Sequence, residues 1–592
     1  MEQAVTHDIS EKRRFDWPWL LSCAAITVVA AFLRFYWLAL KPFHHDEGVN
    51  GWFLTNLFRD GEYRYDPANY HGPTLYYISL AFAKVFGLET VPVRWSVAVW
   101  GVLTVILAFY LKRYIGRVGA LAAGALIALS PGMVYISRYF IHEMFFVFLG
   151  LALVIAVVFF IENRPAGPGA IAWMALLLLV AFFPTTHSSA VWLSGSETAS
   201  TGWLATFFVI EAVLVFFIIR MIMGWQRGTP IYFLLASACA ALLFATKETT
   251  FITLGTMLIA AGMIWVWRRV YKERGSAEGE IADAYLNWAN FRSAMGRGID
   301  LWLLLIAAAA VFIYLTVLFF SSFFTYPEGV RKAFEAYTIW TETGGRDHTM
   351  NGRWAYLWWG LDIEAPIVIL SALGTAIAFF VARHRFAMFA GLWTLGLFLA
   401  YTIIPYKTPW LALSFLLPAC IIGGYAINEI AKRRPAAGRF VAGGLMLAAF
   451  GVLAYQMYEL NFVRYDDEEM PYVYAHTRRE FLDLVADIER YAEASGGKEA
   501  AVDVVSPDYW PLVWYTREYP KAIFHGKMID VSNAEMIVAK KRTQDNDVIK
   551  RFSANYEYVG SYGLRPGVEL ILLVRKDVAG AAGTELYRLR EQ

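Results

Sequence analysis

Thirteen apolar runs, separated by short charged connectors, dominate the pattern of hydrophobic and polar positions. They lie near residues 17–40, 93–111, 118–136, 144–161, 170–191, 203–220, 230–246, 251–267, 299–320, 364–382, 386–404, 410–430 and 440–457. Each approaches the ~20 residues a helix needs to cross a bilayer, and the pattern predicts a polytopic α-helical membrane protein. Two places disturb it. Phe183-Pro184-Thr185-Thr186-His187 interrupts the fifth run, and only Thr246-Lys247-Glu248-Thr249-Thr250 separates the seventh from the eighth. The first connector, residues 41–92, is far longer than a simple turn and so reads as a functional element. Within it Val49, Trp52, Phe53 and Leu57 recur at helical spacing, predicting a short amphipathic helix from about Asp46 along the membrane surface. His71-Gly72-Pro73 marks a turn, and Thr74 to Phe86 is apolar but too short to span, which predicts a second interfacial or re-entrant helix. Residues 461–592 change character. A helix pattern around Arg478 to Ala494, a strand at Ala501 to Val505, a helix near Tyr509 to Glu518 and strands at Glu535 to Val538 and Glu569 to Val574 predict a small α/β domain.

Composition agrees with a membrane class. The 592 residues are 58% hydrophobic and 17% aromatic, with a mean hydropathy of +0.45. A net charge of +2 gives no footprint for nucleic acid. The three cysteines, Cys23, Cys239 and Cys420, all fall in apolar runs, where packing rather than disulfide or metal chemistry is expected. The first run follows Lys12-Arg13-Arg14 in the N-terminal segment 1–16 and has no small-residue cleavage pattern at its end, so it reads as a retained helix. With a cytoplasmic N-terminus, the inner connectors carry 21 Lys and Arg and the longer outer ones only 11. That positive-inside bias, with thirteen spans, places the domain from residue 461 outside the cytoplasmic membrane.

Candidate chemistry concentrates in Phe43-His44-His45-Asp46-Glu47-Gly48, directly after the first run. Carboxylates at a membrane boundary are costly unless they bind or catalyse. Asp46 and Glu47 also suit a helix cap and first turn, a role that does not require the neighbouring His44 and His45. Desolvation beside a bilayer raises a carboxylate toward the range of a general base. The two histidines are candidates for orienting the carboxylates or contacting substrate. Metal ligation is the alternative for them, although adjacent histidines usually point apart.

Three further groups stand on the same expected face. Ser137-Arg138-Tyr139-Phe140-Ile141-His142-Glu143 joins the third and fourth runs, Ala245-Thr246-Lys247-Glu248 joins the seventh and eighth, and Pro405-Tyr406-Lys407-Thr408-Pro409-Trp410 follows the eleventh. A salt-bridged helix end, a snorkelling lysine and an interfacial anchor are their respective structural readings. The segment from Arg331 to Trp359 adds Arg346, His348 and the aromatics Trp354, Tyr356, Trp358 and Trp359, suited to stacking on a sugar or to a membrane belt.

One apolar span, a loop opening with Asp46-Glu47, two juxtamembrane helices and His71-Gly72-Pro73-Thr74-Leu75-Tyr76-Tyr77 together resemble the GT-C superfamily of polyprenyl-phosphate-dependent glycosyltransferases. The nearest in style are the protein O-mannosyltransferases, the lipid A aminoarabinose transferases and a prokaryotic flippase-activity-associated glycosylation group. The resemblance is good over residues 17–270 and loose beyond. It implies a GT-C membrane domain over 17–460, with a catalytic outer loop at 41–92, and transfer of a sugar from a polyprenyl-phosphate donor to a protein, lipid or glycan hydroxyl. Asp46 and Glu47 take the catalytic positions, with Asp46 as base. Arg138, Lys247 and Lys407 become a clamp for the donor phosphate, and His44, His45, His71, Glu143, Arg346 and His348 become supporting or substrate-binding groups. The resemblance fixes no cofactor, and a divalent metal held by Asp46 and Glu143 is compatible with the pattern. The domain 461–592, which lacks a phosphate loop or nucleophile elbow, takes a supporting or acceptor-contacting role. Two other classes are compatible with a charged membrane bundle. A transporter should show paired broken helices in symmetric halves, and the sequence has none; a non-catalytic lipid-sugar-binding or flippase-associated subunit differs only in lacking activity.

Overall fold

The computed structural model describes residues 16–69, 71–196, 198–271, 286–345, 352–433 and 435–581. Helix α1 (Trp17–Phe35) starts where Asp16 accepts the Trp19 amide at 3.3 Å and pairs with Arg117 at 2.6 Å. The first connector folds as expected into α2 (His45–Asp60) and α3 (Thr74–Phe86). There follow α4 (Thr90–Phe109), α5 (Arg117–Leu129), α6 (Pro131–Ser137), α7 (Glu143–Ile161), α8 (Pro168–Ser194), α9 (Thr201–Gly224), α10 (Pro230–Phe244), α11 (Thr250–Val270), α12 (Ile299–Phe320), α13 (Glu328–Gly344), α14 (Ala365–Ala382), α15 (Arg385–Ile403), α16 (Pro409–Arg433) and α17 (Ala436–Val463). Every expected apolar run is therefore helical, and Pro184 sits inside α8 without ending it.

Among the described residues eleven helices are long and apolar enough to cross a membrane, or twelve if α5 and α6 form one span. The expected thirteen exceeds this for two physical reasons. The run at 118–136 bends by 58° where Pro131 removes an amide and drives Ser130 out of helical geometry. The buried Glu364 carboxylate repairs that break, accepting the Ser130 hydroxyl at 2.7 Å and the Gly132 amide at 2.8 Å. The second case is α10. Its 15 residues give about 22 Å at 1.5 Å per residue, short of a ~30 Å hydrocarbon core. Its following turn is consequently sunk into the bundle, with Thr246, Lys247, Glu248 and Thr249 all buried.

Helix α16 is almost wholly buried and runs between α5, α14, α15 and α17. Helix α10 is clasped by α7 and α12, whereas α8 and α9 pack chiefly on each other and turn broad apolar faces outward.

The C-terminal domain has the helix α18 (Phe481–Glu493) and strands β1 (Val502–Val504), β2 (Ala522–Phe524), β3 (Met536–Lys540), β4 (Tyr556–Arg565) and β5 (Val568–Arg575). They form one sheet in the order β2-β1-β3-β5-β4, parallel at β1 with β2 and β3, and antiparallel from β3 onward. Strands β2 and β4 are additions to the sequence reading, and the helix expected near 509–518 contracts to Leu512–Tyr515. This domain docks directly on α2. Trp514 stacks on Phe43 at 4.6 Å and donates its indole N–H to Thr90 at 3.0 Å. The Tyr515 hydroxyl accepts the Phe43 amide at 2.9 Å. Gly48 and Gly51, one turn apart on α2, face the docked segment; a Cβ there would approach Pro511 to 2.7 Å and Trp514 to 2.6 Å. The absent side chains are what let the two bodies close.

Candidate active site

The first turn of α2 is built by residues that would otherwise look catalytic. His44 is its N-cap: Nδ1 accepts the Asp46 amide at 3.1 Å, while the Glu47 carboxylate accepts the His44 amide at 2.8 Å. With Nδ1 accepting, the proton sits on Nε2, which donates to the Tyr474 carbonyl at 2.8 Å. Glu47 is fully buried. Its oxygens take Arg94 Nε at 2.8 Å and Nη2 at 2.6 Å, and the Phe140 amide at 2.7 Å. Arg94 spends its remaining donors on the carbonyls of Leu38, Lys41 and Pro42 at 2.6, 2.8 and 3.0 Å. One bidentate pair thus ties together the end of the α1 connector, α2, α4 and the segment before α7. Every acceptor direction of Glu47, expected at a catalytic position, is used inside the protein, and Glu47 does not line the cavity that Asp46 enters.

Asp46 emerges from this anchored turn with its side chain 40% exposed and 3.9 Å from His44 Nδ1. It lines a cavity of about 360 Å³ together with His45, Asn50, His71, His142, Glu143, Lys247, Glu248, Tyr401, Tyr406 and Trp410. The volume is that of a small-molecule site. Residues drawn from the first connector, from 141–143, from 247–249 and from 401–411 therefore meet in one place, although hundreds of residues separate them. A clip between backbones brings two of these together. The Gly72 amide donates to the Thr246 carbonyl at 3.0 Å and the Thr74 amide to Ala245 at 3.3 Å, and residues 71 and 247 form an antiparallel bridge. Any Cβ on Gly72 would collide with the Ala245 carbonyl, which explains the glycine of His71-Gly72-Pro73.

Within the cavity Lys247 pairs with Glu143. His71 lies 3.5 Å from Glu248 and its ring 4.9 Å from that of His142. Burial pushes the Glu248 carboxyl up from its ordinary value, opposed by His71. Burial, with His71 and Lys247 nearby, holds His142 well below the usual histidine range. Its Nε2 meets the Gly72 carbonyl at 3.0 Å, so Nε2 carries the proton and Nδ1 is a buried acceptor without a hydrogen-bond partner. The cavity accordingly offers the partly exposed Asp46 carboxylate, the Lys247 ammonium paired with Glu143, the Glu248 carboxyl beside His71, the imidazoles of His45 and His142, and aromatic walls.

Two members of the expected phosphate clamp are elsewhere. Arg138 is buried, with Nη1 donating to the carbonyls of Leu33 and Tyr36 at 2.9 and 2.6 Å and Nη2 to Trp37 at 3.0 Å. It caps the end of α1. Lys407 likewise gives its ammonium to the carbonyls of Tyr401, Thr402 and Ile404 at the end of α15. Neither lines the cavity. Of the three cations expected in the clamp, Lys247 lines the cavity. His45, His71 and Glu143 do line the cavity, whereas His44 lines a small adjoining one that also includes Asp46. Arg346 and His348 lie outside the described residues. Asp46 and Glu143 share the cavity, but Glu143 is engaged by Lys247, and among the described residues no group of three or more His, Cys, Asp or Glu is arranged to hold a metal ion. This donor set does not fit a metal.

The sequence reading missed Arg94, Asn50, His142 and Glu248. Arg94 had a legible signal: a cation inside an apolar run demands an internal partner. His142 and Glu248 stood beside residues already singled out, and only the clip through Gly72 reveals that they converge.

Residues 25–184 match the family model described as dolichyl-phosphate-mannose-protein mannosyltransferase. No curated protein sequence matches the chain. In three dimensions the chain is similar to ArnT from Cupriavidus metallidurans. Against the form bound to undecaprenyl phosphate the TM-score is 0.52 with 14% identity, covering 94% of this chain and 98% of that one. Against the apo form it is 0.52 with 15% identity, covering 96% and 99%. The Archaeoglobus fulgidus oligosaccharyltransferase tethered to an acceptor peptide gives 0.45 with 11% identity, covering 96% and 77%. The chain has a GT-C fold with a C-terminal sheet domain, in agreement with the resemblance carried by Asp46-Glu47 and His71-Gly72-Pro73.

Proposed function

We propose that this protein is a multi-pass membrane glycosyltransferase that moves a sugar from a polyprenyl-phosphate donor to an acceptor hydroxyl at the cavity beside Asp46. The observation carrying this reading is the convergence of one carboxylate open to the cavity and one lysine, Lys247, in a site of sugar-phosphate size. Its ArnT neighbour was captured with undecaprenyl phosphate, which supports the donor class.

The chemistry follows from the residues. Asp46 accepts the proton of the acceptor hydroxyl as its oxygen bonds to the anomeric carbon. The bond from that carbon to the phosphate oxygen breaks, and the electron pair leaves with polyprenyl phosphate. Lys247 stabilises the charge that develops on the phosphate, while Glu143 holds the ammonium in place. Neutral His142 and the aromatic walls of Tyr401, Tyr406 and Trp410 provide hydrogen-bonding and stacking surfaces for the sugar. Reconstituted protein supplied with polyprenyl-phosphate-linked hexose or aminosugar should release polyprenyl phosphate only when an acceptor is present. Failure to consume any such donor, with folded protein and a range of protein, lipid and glycan acceptors, would contradict the reading.

Lys247→Ala is expected to weaken binding of polyprenyl phosphate by roughly 10- to 100-fold, as for loss of a hydrogen bond to a charged group. Equilibrium binding in nanodiscs checks it; unchanged affinity removes Lys247 from the phosphate site.

The cation asymmetry of the connectors supports an outer-face site on the cytoplasmic membrane with residues 1–16 cytoplasmic. Alternation keeps the cavity segments and the docked C-terminal domain on one side when the bent α5–α6 pair and the short α10 each count as one crossing beside the eleven long helices, and the meeting of those segments in one cavity supports that count. In a cysteine-free background, Ser553→Cys and Ser293→Cys put thiols at exposed positions of the C-terminal domain and of the 272–298 connector. A membrane-impermeant thiol reagent should label the first in cells with only the outer barrier opened and spare the second until the membrane is lysed. The reverse pattern would invert the topology.

A further inference from the structure

His45 is the first residue of α2, next to Asp46, and lines the same cavity. Its Nδ1 has a partner in the C-terminal domain. Arg565, from the C-terminal domain, approaches it with Nη1 at 3.2 Å. A guanidinium has donors and no acceptor, so Nδ1 must accept and the imidazole proton must reside on Nε2. Arg565 is itself held. Its Nη2 pairs with Asp508, whose other oxygen takes Lys540 at 2.7 Å. It ends β4 at a register irregularity between Gly563 and Arg565, a bulge of the kind that re-aims a side chain. The adjoining segment packs closely around the same turn, with Trp510 edge-on to His45 at 6.3 Å and Pro511 against Gly48.

We infer that Arg565 is a positioning residue of the membrane site: it fixes the His45 proton on Nε2 and so turns the imidazole into a hydrogen-bond donor for a phosphate oxygen of the lipid donor. The C-terminal domain thereby takes part in substrate binding through α2, beyond covering it. The groups facing His45 are Asp46 and His44 on its own segment and Arg565 and Asp508 on the domain; burial above all, with His44 and Arg565 beside it, holds the ring below the usual histidine range, against the pull of the two carboxylates. A neutral ring with one assigned proton is consistent with this set. The inference rests on the reading of the cavity as a polyprenyl-phosphate site, but not on turnover.

The test is a double-mutant cycle on full-length protein in nanodiscs, read by equilibrium binding of undecaprenyl phosphate. Arg565→Ala should weaken binding roughly tenfold, the loss typical of one charge-assisted hydrogen bond. His45→Gln places an amide N–H near the Nε2 position without needing Arg565, so in that background Arg565→Ala should cost less than twofold. Arg565→Lys, which keeps a donor and the pairing with Asp508, should recover part of the wild-type affinity. Selective ¹⁵N labelling of histidine should show the His45 signals changing from a single Nε2-protonated form to mixed tautomers in Arg565→Ala. An equal loss in both backgrounds, or an unchanged tautomer, would make Arg565 a docking residue only and overturn the inference. Intact coupling without sugar transfer would leave the inference standing and sink the enzymatic reading instead.

Discussion

Asp46→Asn should lower sugar transfer by ~10²–10⁴-fold, the range for removal of a general base, while the protein folds and binds polyprenyl phosphate as before. The separation is expected because the Asp46 carboxylate stands 3.9 Å from His44 Nδ1, a nitrogen already taken by the Asp46 amide, and so lends little to the fold. Its backbone amide, which the substitution leaves intact, makes the capping contact to His44. The side chain is the part open to the cavity. Single-turnover transfer from a polyprenyl-phosphate sugar, with lipid binding measured in parallel, checks the effect. Loss of both binding and transfer would point to a structural role, and turnover near that of the unmodified chain would remove Asp46 as the base.

The second large effect is on the fold. Arg94→Ala should destabilise the protein by about 3–5 kcal/mol, because it leaves the Glu47 carboxylate buried and uncompensated. Both side chains of this pair have zero exposure, and the guanidinium also closes three carbonyls of the α1 connector. Thermal unfolding in detergent should show a markedly lower midpoint for Arg94→Ala and for Glu47→Ala. Replacing both by apolar residues of similar volume should recover much of the loss, since no charge is then stranded. A midpoint within a degree of the unmodified chain for either single variant would show that the pair does not anchor the first turn of α2.

The bundle was legible because spans are periodic and long, and because apolar runs of ~20 residues have few alternatives. Helix length near functional turns was less legible. Nothing in residues 230–246 announces that α10 stops after fifteen residues, yet that early stop buries Lys247 in the cavity. The identity of the site was partly legible in the same way. Asp46 and Lys247 could be singled out as residue types that chemistry needs at a membrane boundary. Their neighbours Glu47, Arg138 and Lys407 are the same types in adjacent or equivalent places, and they differ only in what surrounds them: Glu47 meets Arg94, Arg138 the α1 carbonyls, and Lys407 the α15 carbonyls. Charge at a boundary identifies a candidate, whereas the partners, which come from segments distant in sequence, decide between binding substrate and ending a helix. The same limit hid Arg565, whose contact with His45 spans 520 positions.

A structure of the reconstituted protein with undecaprenyl phosphate is the most direct test of a donor site at Lys247, because it shows where the phosphate goes. Phosphate density is expected in the cavity between α2 and the turn after α10, within ~2.7–2.9 Å of Lys247 Nζ, with Asp46 facing the space next to it. Phosphate bound against Arg138 or Lys407, or at any position from which Asp46 is out of reach, would contradict it.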